Sequence, residues 1–234
     1  MDILKILFLK KMIKYFFLIA GIIGSFGLAE ARTFDPNFKM VEDIKPVVAD
    51  CYKIDQYIPS NIDMAKLRET WLGWNNEFRS KAGLPLYVME PELSWSAQNW
   101  SDRAKRIGSI THKRDGQTAY YDYQKVVRWF KDLGLEFKTI GGVTMTENIG
   151  WGVYKCPADG SDCTEAMTKA VKTTLDFFAS EKKANGVHWR SMMNKSYKQI
   201  GFGLALDQKA HKYYLTIHYG TEITSNPKAI CPNT

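Results

Sequence analysis

The sequence has only four cysteines in 234 residues, and no two of them are spaced as C-x-x-C. A zinc site of the finger or ribbon type is therefore disfavoured. The motifs G-x-S-x-G and H-E-x-x-H and a glycine-rich phosphate loop are also absent. These absences remove the sequence signatures of α/β-hydrolases, zincin metalloproteases and P-loop nucleotide-binding proteins.

The excess of basic over acidic residues is also small. The formal charge is +7, and beyond residue 31 the chain has 28 basic and 23 acidic residues, scattered along its length. Such a mild and dispersed excess gives no basic patch of the kind that binds nucleic acid. With 45% hydrophobic and 13% aromatic residues, the composition is that of a globular protein, and we expect no nucleic-acid partner.

No hydrophobic run is long enough for a membrane-spanning helix. The longest, residues 15–28, has 14 residues, whereas a span needs about 20. Lysines precede the run and Ala29-Glu30-Ala31 ends it, which is the pattern of a secretory signal peptide. We expect cleavage before Arg32 and a secreted protein, either extracellular or periplasmic. An uncleaved anchor is the alternative, and translation could start at Met1 or at Met12.

Export changes the interpretation of the cysteines. In an oxidising compartment, four cysteines are best explained by two disulfides, for which three pairings are open. The favoured pairs are Cys156–Cys163, which closes a short polar loop, and Cys51–Cys231, which ties the two ends of the chain together.

The pattern along the chain predicts an α+β domain. We expect a signal peptide at 1–31, an N-terminal extension at 32–61, the main domain at 62–220 and a tail at 221–234. Apolar residues recur with helical spacing in four segments, whose stripes begin at Met64, Leu93, Tyr123 and Met167. Alternating residues predict a strand at 148–155 and a hairpin formed by 199–207 and 213–219. Helices beside a small, largely antiparallel sheet make an α+β sandwich.

One acidic residue stands out from periodicity alone. Glu181 follows Phe178 by three residues and so continues the apolar stripe of the fourth helix. A carboxylate on a buried face needs a base, a hydrogen-bond donor or a metal as its partner. His188, seven residues later, is near enough to fold back toward it. The alternative is that Glu181 frays into solvent, and His211 and His218 are expected to be structural or solvated.

Several short motifs follow one another in an order that resembles the CAP superfamily of cysteine-rich secretory, antigen-5 and pathogenesis-related proteins. The motifs are Asn76-Glu77-Phe78-Arg79, the second helix at 93–103 with His112 after it, Glu147-Asn148-Ile149, Phe178-Ala179-Ser180-Glu181, Gly186-Val187-His188-Trp189 and the terminal hairpin. Phe178 stands where the family usually has tryptophan, and the helical segment at 121–135 is longer than in compact members. No cysteine-rich module follows, which argues against channel blocking.

The resemblance implies an α-β-α sandwich with a central cavity lined by His112, Glu147, Glu181 and His188. Two imidazoles and two carboxylates suit zinc or another divalent cation, and a hydrogen-bonded tetrad without metal is the alternative. The implied function is binding of a lipid, sterol-like or cell-envelope ligand. A metal-assisted hydrolase and an extracellular interaction or antagonist module are the other hypotheses. No catalytic residue is assigned, and the ligand and oligomeric state are left open.

Overall fold

In the computed structural model, residues 54–114 and 122–225 are described. The helices are α1 Met64–Lys81, α2 Pro91–Ile107, α3 Tyr123–Asp132, α4 Thr164–Ser180 and α5 Val187–Met193. A 3-10 turn, Glu181–Ala184, joins α4 to α5. Asp63 begins α1 by accepting a hydrogen bond from the Lys66 amide, and Gly108, in the left-handed region at φ 68°, ends α2. The four long helices are those expected from the sequence.

The strands form one four-stranded sheet with the order β1-β3-β4-β2. Their bounds are β1 Val88–Met89, β2 Met145–Val153, β3 Gln199–Asp207 and β4 Lys212–Gly220. β3 and β4 make the predicted hairpin, and β2 pairs antiparallel with β4 along its whole length. Only the two-residue β1 runs parallel to its neighbour, so the sheet is largely antiparallel, as expected.

Helix α2 lies directly against the sheet because β3 has glycine where the helix crosses it. A Cβ atom on Gly201 would lie 2.1 Å from the carbonyl carbon of Leu93, and one on Gly203 would lie 2.1 Å from that of Ala97. Any side chain at these two positions would collide with helix backbone. Helix α3 joins α2 on this face through a small core that includes Phe130.

The opposite face of the sheet carries the larger core. Phe202 of β3 packs against Trp71 of α1 with ring centroids 5.5 Å apart. Met167 and Leu175 of α4 are buried in the same cluster. Strand alternation places successive side chains in the two cores, so the sheet is covered on both faces. The fold is therefore the predicted α-β-α sandwich of the α+β class.

Two local predictions need correction. Helical spacing predicts that the buried stripe of α1 runs through Trp74 and Phe78, but the residues fully buried there are Asn75 and Arg79. Both polar groups find backbone carbonyls inside the protein, which makes their burial possible. The spacing of Asp162 and Glu165 predicts Asp162 as the N-cap of α4, but Asp162 precedes the N-cap, Cys163, and accepts a hydrogen bond from the Thr164 amide.

The cysteine prediction is confirmed for one pair: Cys156 and Cys163 form a disulfide. The expected Cys51–Cys231 bridge and the expected signal peptide at 1–31 lie outside the described residues. No helix within the described ranges is both long and apolar enough to cross a membrane.

Glu90, just before α2, links three parts of the fold. Gln199 of β3 donates a hydrogen bond to its carboxyl at 3.1 Å, and the same Gln199 accepts one from the Ile223 amide at 2.9 Å. Burial and the neighbouring Glu92 carboxyl raise the pKa of Glu90 to about 7. Glu90 therefore keeps its proton in the folded state under conditions in which an unfolded chain has lost it.

Replacing Glu90 by glutamine is expected to stabilise the protein above pH 7. Because the folded pKa of Glu90 is raised, its favourable contribution is complete below the unfolded pKa of about 4.3 and is lost as the pH rises through 7. The gain should be about 1 kcal/mol, since Glu90 is only partly buried and solvent weakens the repulsion. Urea unfolding at pH 4 and pH 8 measures it. Glu69→Gln, at an exposed position of α1, is the control; an equal gain for both variants would contradict the prediction.

Candidate functional site

Glu147 of β2 is the centre of a buried polar cluster on the α2 side of the sheet. His112, in the loop after α2, donates from Nδ1 to Glu147 Oε1 at 2.8 Å. Arg114, two residues later, donates from Nη1 to Oε1 at 3.2 Å and from Nη2 to Oε2 at 2.7 Å. The loop after α2 is thus attached to the edge strand of the sheet by a charge-assisted, two-point contact.

His218 of β4 completes the cluster from the neighbouring strand. It is directly opposite Glu147 in the strand pairing, and its Nε2 donates to Glu147 Oε2 at 2.8 Å. Its Nδ1 lies 2.8 Å from the hydroxyl oxygen of Ser96 on α2. Burial lowers the pKa of His218, which favours the neutral ring with its proton on Nε2. The single Ser96 hydroxyl proton then has two acceptors within reach, His218 Nδ1 and the Leu93 carbonyl oxygen at 2.9 Å.

The electrostatics of the cluster keep Glu147 ionised. Burial alone would raise its pKa, but the Arg114 guanidinium and the hydrogen bonds from His112 and His218 hold the pKa of Glu147 well below its usual value. Ser96, His218 and Glu147 form a serine–histidine–carboxylate chain, yet all three are buried. Ser96 is therefore shielded from substrate, and the chain serves to hold α2, β4 and β2 together.

Sequence reasoning missed both His218 and Arg114. His218 was expected to be structural or solvated, and it is structural, but its link to Glu147 was not anticipated. The signal for its burial was its position in the final strand, between Ile217 and Tyr219. The side chains of these two neighbours lie in the larger core on the other face of the sheet. In a strand covered on both faces, a histidine between apolar residues is buried too. No sequence pattern marked Arg114.

Glu181 and His188 form a second pair at the C-terminal end of α4. The helix ends at Ser180, so Glu181 begins the 3-10 turn instead of continuing the buried stripe. Its Oε1 accepts from His188 Nδ1 at 2.8 Å, and its Oε2 accepts from the His188 backbone amide at 2.9 Å. Although burial opposes it, these hydrogen bonds lower the pKa of Glu181. The expected partnership with His188 is therefore present.

The His188 ring is held by stacking as well as by its carboxylate. It lies parallel to the Phe178 ring, with centroids 4.6 Å apart and an interplanar angle of 15°. Phe178 thus provides a flat surface for the imidazole. The His188 carbonyl accepts a hydrogen bond from the Asn148 side chain at 3.1 Å. This second pair is partly open to solvent, unlike Glu147.

The four residues predicted to line one cavity are brought together as two pairs. Glu147 and Asn148 are consecutive in β2, so their side chains point to opposite faces of the sheet. The His112–Glu147 pair lies on the α2 face, and the Glu181–His188 pair lies on the α4 face beside Asn148. That all four share one ion stays a prediction.

The donors around Glu147 fit a divalent metal poorly. Both carboxylate oxygens already accept two hydrogen bonds each, which uses their lone-pair positions. The nitrogens facing them carry protons, whereas a metal-bound imidazole nitrogen must present a lone pair. In the described part of the chain, no three His, Cys, Asp or Glu side chains are grouped so as to hold a metal ion.

The sequence was compared with models of known protein families. The model of the cysteine-rich secretory protein family, CAP, matches residues 73–219, a range that includes both pairs and nearly all of the sheet. The chain belongs to the CAP family. This confirms the resemblance drawn from the motifs. No curated protein is significantly similar to the chain.

Several solved structures are similar to this CAP protein. An outer surface protein from Borrelia burgdorferi is 14% identical with a TM-score of 0.47, over 69% of this chain and 96% of that one. An extracellular SCP-domain protein from Bacillus anthracis is 15% identical with a TM-score of 0.44, over 69% and 44%. A cysteine-rich secretory protein from Staphylococcus aureus is 13% identical with a TM-score of 0.43, over 68% and 39%. The match thus spans less than half of the latter two proteins.

Proposed function

We propose that this CAP protein is an extracellular binding protein that takes up an anionic amphiphile, namely a lipid with a negatively charged headgroup. The observation that carries the proposal is an exposed apolar surface at the end of α4, beside the Glu181–His188 pair. Phe177 and Val187 are 56% and 58% exposed there, and the exposed Lys182 and Lys183 lie on the turn that joins them. We call these four residues the Phe177 surface.

The chemistry of the Phe177 surface suits an amphiphile. The Phe177 ring lies 5.5 Å from the His188 ring, so the apolar group is adjacent to the partly open polar pair described above. Single exposed apolar side chains are ordinary, but apolar side chains next to lysines favour a ligand with both characters. The two nearby carboxylates are already paired, Glu181 with His188 and Asp176 with Lys172. Each lysine near an anionic surface contributes about 1 kcal/mol of attraction.

Secretion is supported by two independent features. The segment at 1–31 has the basic, apolar and small-residue parts of a signal peptide. The Cys156–Cys163 disulfide is a bond that persists in oxidising compartments and is rare in the cytosol. A protein outside the cytoplasm has access to lipids of its own envelope and of other cells.

Sedimentation with phosphatidylglycerol vesicles tests the proposal. Phe177→Ser should lower the partition coefficient about tenfold, because transfer of one large aromatic side chain from water is lost. Trp151→Ser is the matched control, since Trp151 is 51% exposed and strand alternation places it with Glu147 on the α2 face of the sheet, opposite α4. Binding should weaken in high salt and on phosphatidylcholine vesicles. Equal binding of the wild type and Phe177→Ser would contradict the proposal.

A hydrolase is the second candidate because of one observation. Glu181 holds His188 Nδ1, which fixes the ring so that Nε2 is the nitrogen available to accept a proton from water. A hydrolase of this kind would lose turnover in His188→Ala. Turnover of an ester or wall-fragment substrate that disappears in this variant would favour hydrolysis over binding alone.

A further inference from the structure

The side chain of Arg114 is enclosed by aromatic rings as well as bound to a carboxylate. Its guanidinium carbon lies 3.4 Å from the Trp100 ring centroid and 4.4 Å from the Trp129 ring centroid. The two indoles, from α2 and α3, approach each other edge to face with centroids 5.4 Å apart. We call Trp100, Trp129 and Glu147 the guanidinium cage. Only 3% of the Arg114 side chain is exposed to solvent.

The cage matches a planar cation with several donors. Indole faces attract cations and stack well on a flat guanidinium. The Glu147 carboxylate accepts two separate N–H groups of Arg114, one at each oxygen. A lysine ammonium or a divalent ion is compact and cannot make both contacts in one plane.

We propose that the resident cation of this site is the guanidinium of Arg114, and that the cage is a binding site for guanidinium compounds, filled by the protein's own side chain. The charge of Glu147 is thus neutralised without a metal ion. A divalent cation next to the guanidinium would be repelled by it, in surroundings that screen charge weakly. Arg114 also fixes the position of His112, because its Nη1 donates to the His112 carbonyl at 3.1 Å. Arg114 is therefore a positioning residue for the loop after α2.

Chemical rescue tests the proposal. Arg114→Ala should lower the melting temperature by about 10 °C, because a buried carboxylate loses its cation. Millimolar methylguanidinium chloride should recover part of this loss, whereas equal concentrations of tetramethylammonium chloride or zinc chloride should not. Arg106→Ala, at an exposed position of α2, is the control and should respond to none of the salts. Rescue by zinc in place of methylguanidinium would overturn the proposal.

A measurement on the wild type covers the case in which Arg114→Ala does not fold. The guanidinium N–H signals of Arg114, assigned in NMR spectra by their loss in Arg114→Lys, should be displaced by the ring currents of the two indoles. Addition of zinc should leave them unchanged. Arg114 signals at ordinary solvent-exposed positions, or signals that move on zinc addition, would show that the guanidinium is not the resident cation.

Discussion

Replacing Arg79 by methionine is expected to remove at least about 3 kcal/mol from the free energy of unfolding. Arg79 is fully buried in α1, and its guanidinium donates to the carbonyl oxygens of Pro85, Met192, Asn194 and Tyr197 at 2.6 to 3.1 Å. The guanidinium also lies 3.9 Å from the Tyr87 ring centroid. Methionine fills much of the same volume but donates no hydrogen bond. All four carbonyl oxygens therefore lose the guanidinium that donates to them.

Urea unfolding of Arg79→Met measures this loss. Arg106→Met, which changes an exposed arginine of α2, is the matched control and should stay within about 0.5 kcal/mol of the wild type. Arg79→Lys should recover only part of the stability, because three donors on a single nitrogen cannot reach carbonyls arranged for a planar fork. A loss below about 1 kcal/mol for Arg79→Met would show that water replaces the guanidinium at these carbonyls.

Replacing Gly203 by alanine is expected to destabilise the protein by about 3 kcal/mol. The added methyl group would lie 2.1 Å from the Ala97 carbonyl carbon, which belongs to helix backbone and cannot rotate away. The helix α2 would have to move off the sheet, and the hydrogen bonds between Gln98 and Leu204 would be strained with it.

Gly73→Ala in α1 is the matched control because a Cβ there has nothing within 4 Å. Alanine is favoured over glycine inside a helix by about 1 kcal/mol, so this substitution should stabilise the protein. Thermal unfolding should therefore move in opposite directions for the same chemical change at the two sites. A stabilised Gly203→Ala variant would show that α2 does not lie as close to β3 as described.

Hydrophobic periodicity was enough to predict the four long helices, the hairpin and the α+β class. Local signals also placed the ends of α2, since Pro91 begins it and Gly108 ends it. These features depend on neighbours within a few residues, and such neighbours are visible in the sequence. Periodicity also indicated that Glu181 needs a partner, and His188 is only seven residues away. The motifs then added the family.

Tertiary structure alone decided which polar residues are buried and what they contact. Three of the four carbonyls that Arg79 contacts belong to residues more than 100 positions away, and Glu147 meets His218 across 71 residues. Arg114 lies in the loop after α2, whose sequence has no periodicity, and its place between Trp100 and Trp129 depends on how α3 packs beside α2. A buried charge is permitted only where distant donors or acceptors converge on it. That convergence arises when the layers of the sandwich assemble, so no local pattern in the sequence could record it.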